Sequence, residues 1–276
     1  MEKIDVIINV YGKPWQTLCT LKSLMHHSGR HIDRIYLIEE RQQPEDVRWI
    51  YSYFDNLITY VPFRYEFAKN TVNFRNDVDR FSIRYQYGFE KSDKRHVFIT
   101  HNDVLYVEDV VGGMLSKIGE AIGIGEIGQC WNCPANHVGL CSGEKFYEWN
   151  PTYEQVLELP LPHVRTYAEA ISREYPKPMP ECRLNECACL IDRTASNRET
   201  PPNGNTNFFG IYGIDLGIFW FRSLHIKGYK FVDYRRGWVH SYWSDLETGY
   251  QTQLNAEIYV KSEERAKRYF FDYLAI

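Results

Sequence analysis

Short apolar runs alternate with amphipathic stretches along the first half of the chain. Ile4 to Val10 reads as a first strand that ends at Tyr11-Gly12. Pro14 opens a helix at a position where its missing N–H costs nothing. Trp15, Leu18, Leu21, Leu24 and Met25 form the apolar face of that helix, and Gly29 closes it. Ile32 to Ile38 predicts a second strand ending in Glu39-Glu40, Asp46 to Phe54 a short helix, and Leu57 to Val61 a third strand stopped by Pro62. A longer helix over Arg75 to Phe89 leads to a strand at His96, followed by a helix over Val107 to Ile118 and a glycine-broken strand over Ala121 to Trp131. Strands alternating with helices imply βαβ units and an α/β fold with a mostly parallel central sheet flanked by helices. After Cys130 prolines and cysteines interrupt the pattern. Glu181, Asn185 and Glu186 are expected on a helix, and Thr194 to Asn207 reads as a flexible loop. A helix over Asp215 to Lys227, a strand over Tyr229 to Tyr234 and a last helix over Ser262 to Leu274, capped by Ser262, complete the order.

Composition narrows the partners more than the fold. A chain of 276 residues is long enough for one large α/β domain, and a net charge of −4 argues against general nucleic-acid affinity. Met1-Glu2-Lys3 runs straight into a strand and does not read as a signal peptide. No apolar stretch reaches the length that crosses a bilayer, so a cytoplasmic protein, with peripheral membrane contact left open, is the expectation. The aromatic content of 16% suits sugar and base stacking as well as an ordinary core. Trp131, Tyr147, Trp149 and Tyr153 are the candidates for such stacking.

Candidate chemistry begins where the run His96-Val97-Phe98-Ile99-Thr100 ends in His101-Asn102-Asp103. Val97 to Ile99 suits a strand buried on both faces, and open α/β sheets bind ligands beyond the carboxyl ends of such strands. Asp103, Asn102 and His101 offer oxygen donors and an imidazole, a set suited to Mg²⁺ or Mn²⁺ holding phosphates. The same residues also suit a plain Asn-Asp turn. Six of the seven cysteines fall between residues 130 and 189. Cys130, Cys133, His137 and Cys141 have the chemistry of a structural Zn²⁺ site, but their spacing follows no common finger template. Packed thiols are the expected reading.

Several segments in order resemble the GT-A glycosyltransferases, in particular the large family 2 of inverting, nucleotide-sugar-dependent enzymes. Val6 to Lys13 is similar to the first strand of that family, and Glu39-Glu40 falls where its second strand ends in acids. Ile83-Arg84-Tyr85-Gln86-Tyr87-Gly88 resembles its Ala-Arg-Asn-x-Gly helix segment, and Thr100 to Val104 its metal-holding ending. Tyr212-Gly213-Ile214-Asp215-Leu216, then Arg222 and Gly228-Tyr229-Lys230, resembles a later acidic segment, and Trp238-Val239-His240 the histidine that follows it. The likeness covers roughly residues 4 to 118 and 208 to 241. His101 and Asn102 stand where many members carry aspartates, and Ile214 replaces the first acid of the usual pair.

The resemblance implies a GT-A, Rossmann-like domain over 1–276, with a nucleotide-sugar half at 1–120 and an acceptor half at 121–276. The latter carries a cysteine-containing insertion at 130–207. It implies donor binding by Asn9, Tyr11, Glu39, Glu40, Arg84 and Asn102, and Mn²⁺ or Mg²⁺ held by Asp103 with His240 and His101. Asp215 is then the base that deprotonates an acceptor hydroxyl in an inverting transfer. The implied partners are a UDP-, GDP- or dTDP-linked sugar and a glycan or glycoconjugate acceptor, as in polysaccharide biosynthesis. The competing expectations are a retaining enzyme or nucleotidyltransferase on a similar sheet, a silent sugar- or nucleotide-binding module, and a zinc-stabilised interaction protein.

Overall fold

The computed structural model describes residues 2–64, 73–159, 171–212, 215–244 and 255–275. Gly213 and Ile214, within the late acidic segment, lie outside the described residues. Seven strands form one sheet: β1 (Ile4–Val10), β2 (Ile32–Glu39), β3 (Leu57–Tyr60), β4 (His96–Thr100), β6 (Gly123–Ile127), β7 (Leu184–Asp192) and β8 (Phe231–Asp233), in the order β3-β2-β1-β4-β7-β6-β8. β5 (Val104–Tyr106) and β9 (Trp238–His240) form a separate two-stranded ribbon. β7 runs antiparallel to both β4 and β6, while the β3-β2-β1-β4 half is parallel.

The alternation of side chains along β1 explains how one sheet serves two cores. Ile4, Val6, Ile8 and Val10 pack on one face with Leu18, Leu21 and Leu24 of the helix Pro14–Ser28. Ile7 faces the other side with Val97 and Ile99. Asp5 is fully buried in β1, held by Arg34 Nη2 at 2.9 Å and by the Ser92 hydroxyl at 2.7 Å. A buried carboxylate needs such partners to keep its charge.

Several predicted elements change shape. The helix expected over Arg75 to Phe89 is two short ones, Asp77–Arg80 and Gln86–Lys91. They part at Tyr85, a non-glycine residue at φ 66° whose N–H is taken by Asn9 Oδ1 at 3.1 Å. Residues 104–106 are a strand, so the helix expected from Val107 is confined to Val110–Leu115. The expected loop at Thr194 begins instead as the helix Arg193–Glu199, because Asp192 caps it through the Ala195 N–H. Asn185 and Glu186 lie on strand β7 rather than a helix: every residue of Leu184–Asp192 is buried between β4 and β6, and sheet pairing overrides local propensity. Ser262 sits inside the last helix, Ala256–Tyr269, which Asn255 caps.

The last helix also caps the first. Lys13, left-handed at φ 54°, offers no side-chain cap to Pro14–Ser28, and Glu263 accepts the Trp15 N–H at 2.8 Å and the Gln16 N–H at 3.2 Å instead. Burial, with Glu45 nearby, pushes the Glu263 carboxyl up from 4.5 to about 7. A raised carboxyl stabilises the fold while protonated, below its unfolded value, and that stabilisation is lost as pH rises through 7. The loss is on the order of 3 kcal/mol. The difference in unfolding free energy between wild type and Glu263→Ala should therefore shrink between pH 5 and pH 8 in denaturant titrations. A difference that stays constant across that range refutes this assignment.

Candidate active site at the sheet edge

β1 and β4 are parallel neighbours, so their carboxyl ends open at the same edge of the sheet. Beyond β1 the chain turns through Gly12 and Lys13, both left-handed, and the turn is fixed by Gln43 on the Gly12 N–H (2.6 Å) and Tyr259 Oη on the Lys13 N–H (2.8 Å). This turn carries the Lys13 side chain inward to pair with Asp103 Oδ2 at 2.9 Å, with 4% of each side chain exposed. Beyond β4, the His101 N–H donates to Cys187 O at 3.3 Å. Asn102 Nδ2 donates to Gly12 O at 3.3 Å and to Thr17 Oγ1 at 3.2 Å, tying the two strand ends together.

The β5–β9 ribbon supplies the third part. Val104 pairs with His240, which sets the imidazole beside Asp103 although 137 residues separate them in the chain. His240 Nε2 lies 3.3 Å from Asp103 Oδ1 and 3.2 Å from His101 Nδ1. His101 Nε2 lies 3.3 Å from Glu186 Oε1 at the start of β7, and Arg183 Nη1 lies 2.7 Å from Glu186 Oε2. The same guanidinium reaches Asp215 Oδ1 at 3.2 Å, and Gln129 Nε2 donates to Asp215 Oδ2 at 2.7 Å. A run of charged and ionisable side chains thus joins Lys13, Asp103, His240, His101, Glu186, Arg183 and Asp215 along the edge.

Burial works against the charges of Asp103, Glu186, His240 and His101, and the neighbours decide the outcome. Burial alone would raise the Asp103 carboxyl, but Lys13 and His240 hold it well below the usual carboxylate range. Arg183 and His101 do the same for buried Glu186. The ring of His240 is raised above its ordinary value: burial lowers it, but the adjacent Asp103 carboxylate more than compensates. His101 is lowered by burial, which Glu186 only partly offsets.

The donor set fits a divalent cation. Ligand atoms of His101, Asp103 and His240 all lie within 4.8 Å of one another, forming the only such group of three or more among the described residues. Asp103 Oδ1 and His101 Nε2 are buried without an aligned hydrogen bond, since their close neighbours make ion-pair distances only. A buried carboxylate oxygen with two imidazoles within reach suits Mn²⁺ as well as Mg²⁺.

The structure treats the other expected site residues unevenly. Arg84 immediately precedes Tyr85, the strained position that Asn9 fixes, and its charge is felt by both Glu40 and Glu186. Of the two acids ending β2, Glu39 is buried and takes the Tyr51 hydroxyl, while Glu40 is only partly buried. Tyr11 stands partly exposed beside Gly12. Asp215 is no helix cap: the helix Ile218–Ile226 starts from Gly217 at φ 76°, leaving Asp215 two residues upstream with 29% of its side chain exposed. His137 Nε2 lies 2.6 Å from Trp131 O, a carbonyl of the Cys130–Cys133 turn. Among the aromatic candidates, Trp131 is 57% exposed, Tyr147 Oη accepts the Phe231 N–H at 2.7 Å, and Trp149 and Tyr153 pack on the core.

Sequence reasoning did not reach the roles of Lys13, Arg183 and Gln129, and it placed Glu186 on the wrong element. A lysine directly after a glycine at a strand's carboxyl end was the one local signal available.

By sequence the chain matches no protein-family profile and no curated protein. Solved structures resemble it. A mannosyltransferase, PcManGT, from Pyrobaculum calidifontis, in complex with GDP-Man and Mn²⁺, superposes with a TM-score of 0.53 at 11% identity over 96% of this chain and 64% of its own. The glycosyltransferase GlyE of Streptococcus pneumoniae TIGR4 gives 0.46 at 13% identity over 99% and 64%, and mouse xyloside xylosyltransferase 1 gives 0.45 at 11% over 84% and 85%. The chain thus spans under two thirds of the mannosyltransferase's length. No helix among the described residues is long and apolar enough to cross a membrane. With its mixed seven-stranded sheet flanked by helices and a candidate His–Asp–His metal site at the strand ends, the chain has the GT-A glycosyltransferase fold.

Proposed function

We propose that this protein is a nucleotide-sugar-dependent glycosyltransferase that moves a sugar to a glycan or glycoconjugate hydroxyl with inversion. The observation that carries this reading is the charged run from Lys13 and Asp103 to Asp215, which puts a cation-holding carboxylate and a second, partly exposed carboxylate on one sheet edge. Asp103, His240 and His101 would hold Mn²⁺ or Mg²⁺, whose positive charge offsets the negative charge of a departing diphosphate. Asn9, through the Tyr85 turn, positions Arg84 toward the phosphates. Glu40 and Tyr11 line the nucleoside side with Glu39 behind them, and Asn102 fixes the Gly12 turn. Residues 1–120 serve the donor and 121–276 the acceptor.

Asp215 is the base in this reading. Arg183 and Gln129 fix its two oxygens, so one carboxylate lone pair can be presented to an acceptor hydroxyl in a set direction. Asp215→Asn should lower kcat for transfer by about 10²- to 10⁴-fold, the usual worth of a general base, while leaving nucleotide affinity intact. Loss of nucleotide binding instead would make Asp215 a donor-site residue.

A second reading rests on Lys13. Its ammonium already neutralises Asp103 and would supply positive charge beside the diphosphate without a metal. Calorimetric titration with UDP, GDP and dTDP, with and without Mn²⁺, separates the two. GDP with Mn²⁺ is the first pair to try, since the mannosyltransferase of similar fold was solved with GDP-Man and Mn²⁺. Metal-dependent binding of one nucleotide supports the His–Asp–His reading, and equal binding without metal supports Lys13. No binding of any nucleotide refutes the glycosyltransferase assignment.

A further inference from the structure

A second cluster of metal-competent side chains lies away from this edge, in the segment between β6 and β7. Cys130, Cys133, Cys141 and Cys182 line one small cavity of about 10 Å³, with Phe146 and Ile127 as apolar walls. Cys133, Cys141 and Cys182 are buried and Cys130 is partly so. The cavity has room for about one small ion, and Gln129, Asn136, Ser142 and Glu181 also line it. His137, grouped with these thiols on sequence spacing alone, does not line it.

We propose that Cys130, Cys133, Cys141 and Cys182 form a four-thiolate zinc site that fastens the Cys130–Cys141 segment to the chain entering β7. Two local features support it. Cys130 and Cys133 are spaced C-x₂-C across the short 3₁₀ turn Cys130–Asn132, the spacing that presents two sulfurs to one tetrahedral ion. Two cations flank the cluster: Arg235 Nη2 lies 3.8 Å from Cys130 Sγ, and Lys177, donating to Trp149 O at 2.5 Å, is close enough to act on Cys141 and Cys182. Four thiolates on Zn²⁺ carry a net negative charge, and a buried negative charge requires such neighbours.

The sulfurs do not converge in this structure, where all seven cysteines are free thiols and no three sulfurs among the described residues come within 4.8 Å of one another. Cys130 Sγ is turned to Ile127 O at 3.7 Å and Cys141 Sγ to Ser142 O at 3.6 Å. Metal binding requires rotation of these side chains about their Cα–Cβ bonds into the cavity they line. Burial pushes the Cys133 thiol up to about 12 and the Cys182 thiol well above its ordinary value, so without metal these groups are neutral. Each thiol releases its proton to solvent as its Zn–S bond forms.

The site has a consequence for the sheet edge. Gln129 immediately precedes Cys130, and Arg183 immediately follows Cys182. These are the two residues that hold Asp215. Backbone bonds already join the two segments, Gly128 N–H to Arg183 O at 2.7 Å and Gln129 N–H to Glu181 O at 3.0 Å, and the ion would lock this junction from the far side.

The test is metal analysis of the full chain purified with added zinc and then dialysed against EDTA, followed by cobalt substitution. One zinc per chain should survive dialysis in wild type, in His137→Ala and in His240→Ala. The cobalt form should show the sulfur-to-cobalt charge-transfer band and the intense visible band of tetrahedral thiolate coordination. Cys182→Ser should lose zinc affinity by more than the roughly 10- to 100-fold that an outer-shell loss costs. If Cys182→Ser does not fold, the intensity of the wild-type cobalt spectrum still distinguishes four thiolates from fewer. Absence of retained metal, a spectrum without sulfur charge transfer, or zinc lost in His137→Ala and kept in Cys182→Ser overturns the proposal. None of these outcomes touches nucleotide binding at Asp103.

Discussion

Asp103→Asn should abolish measurable sugar transfer, with kcat/KM falling by at least about 10³-fold, the scale seen when a positioned electrostatic partner of a developing charge is removed. Asp103 is the only carboxylate among the three candidate ligands and lies between the Lys13 ammonium, 2.9 Å from one oxygen, and the His240 ring, 3.3 Å from the other. An amide keeps the shape but removes the charge, so Lys13 becomes a buried ammonium without its counter-ion and any cation loses its anionic ligand. Breaking a buried pair from one side costs about 3–5 kcal/mol, and a lower melting temperature is expected with the loss of activity. The double variant Lys13→Met/Asp103→Asn separates the two effects: stability should partly return, because no unpaired charge remains, and transfer should not. Transfer by Asp103→Asn within about threefold of wild type would show that the residue supports the fold and not the leaving group.

The second large effect is expected at Arg183. Its side chain, 5% exposed, pairs with Glu186 at 2.7 Å and Asp215 at 3.2 Å and also donates to Leu216 O at 3.1 Å. Arg183→Met fills similar space but leaves Glu186 buried with the His101 ring and the charge of Arg84 as its remaining partners. A destabilisation of about 3–5 kcal/mol is expected from the uncompensated carboxylate, or roughly 10 °C in melting temperature for a chain of this size. The sign of its pH dependence follows from Glu186. Its folded carboxyl is held below its unfolded value, so it contributes stability above that value and loses it as pH falls. The deficit of Arg183→Met should therefore be largest near neutral pH and shrink toward pH 4. Since Arg183 also orients Asp215, kcat should fall in any surviving activity with little change in nucleotide affinity. A variant as stable as wild type at neutral pH would rule out this ion-pair account.

The chain of charges contains residues that carried no local signature. Arg183 and Glu186 read as scattered polar positions in a proline- and cysteine-broken region. Only the pairing of β7 between β4 and β6 aligns them with His101 and Asp215. Lys13 was visible as a residue but not as a partner of Asp103, since 90 residues separate them. The glycines of β6 made a clean strand legible only in part, and the helix expected around Glu186 failed because nine consecutive buried positions suit a central strand regardless of their helical propensity.

What the sequence by itself determined is the parallel half of the sheet and the acid at its edge. The apolar runs of β1, β2 and β4 are each long enough and regular enough to specify a strand from their own neighbours, and Asp103 lies three residues beyond the last of them. The tertiary structure alone decided which charges meet that acid. His240 reaches it through the β5–β9 pairing, Lys13 through two left-handed residues, and Glu186 through an antiparallel strand inserted late in the chain. The physical reason is range. Hydrophobic periodicity is set by residues a few positions apart, whereas the energy of a buried charge is set by whatever the completed fold brings within a few ångströms of it.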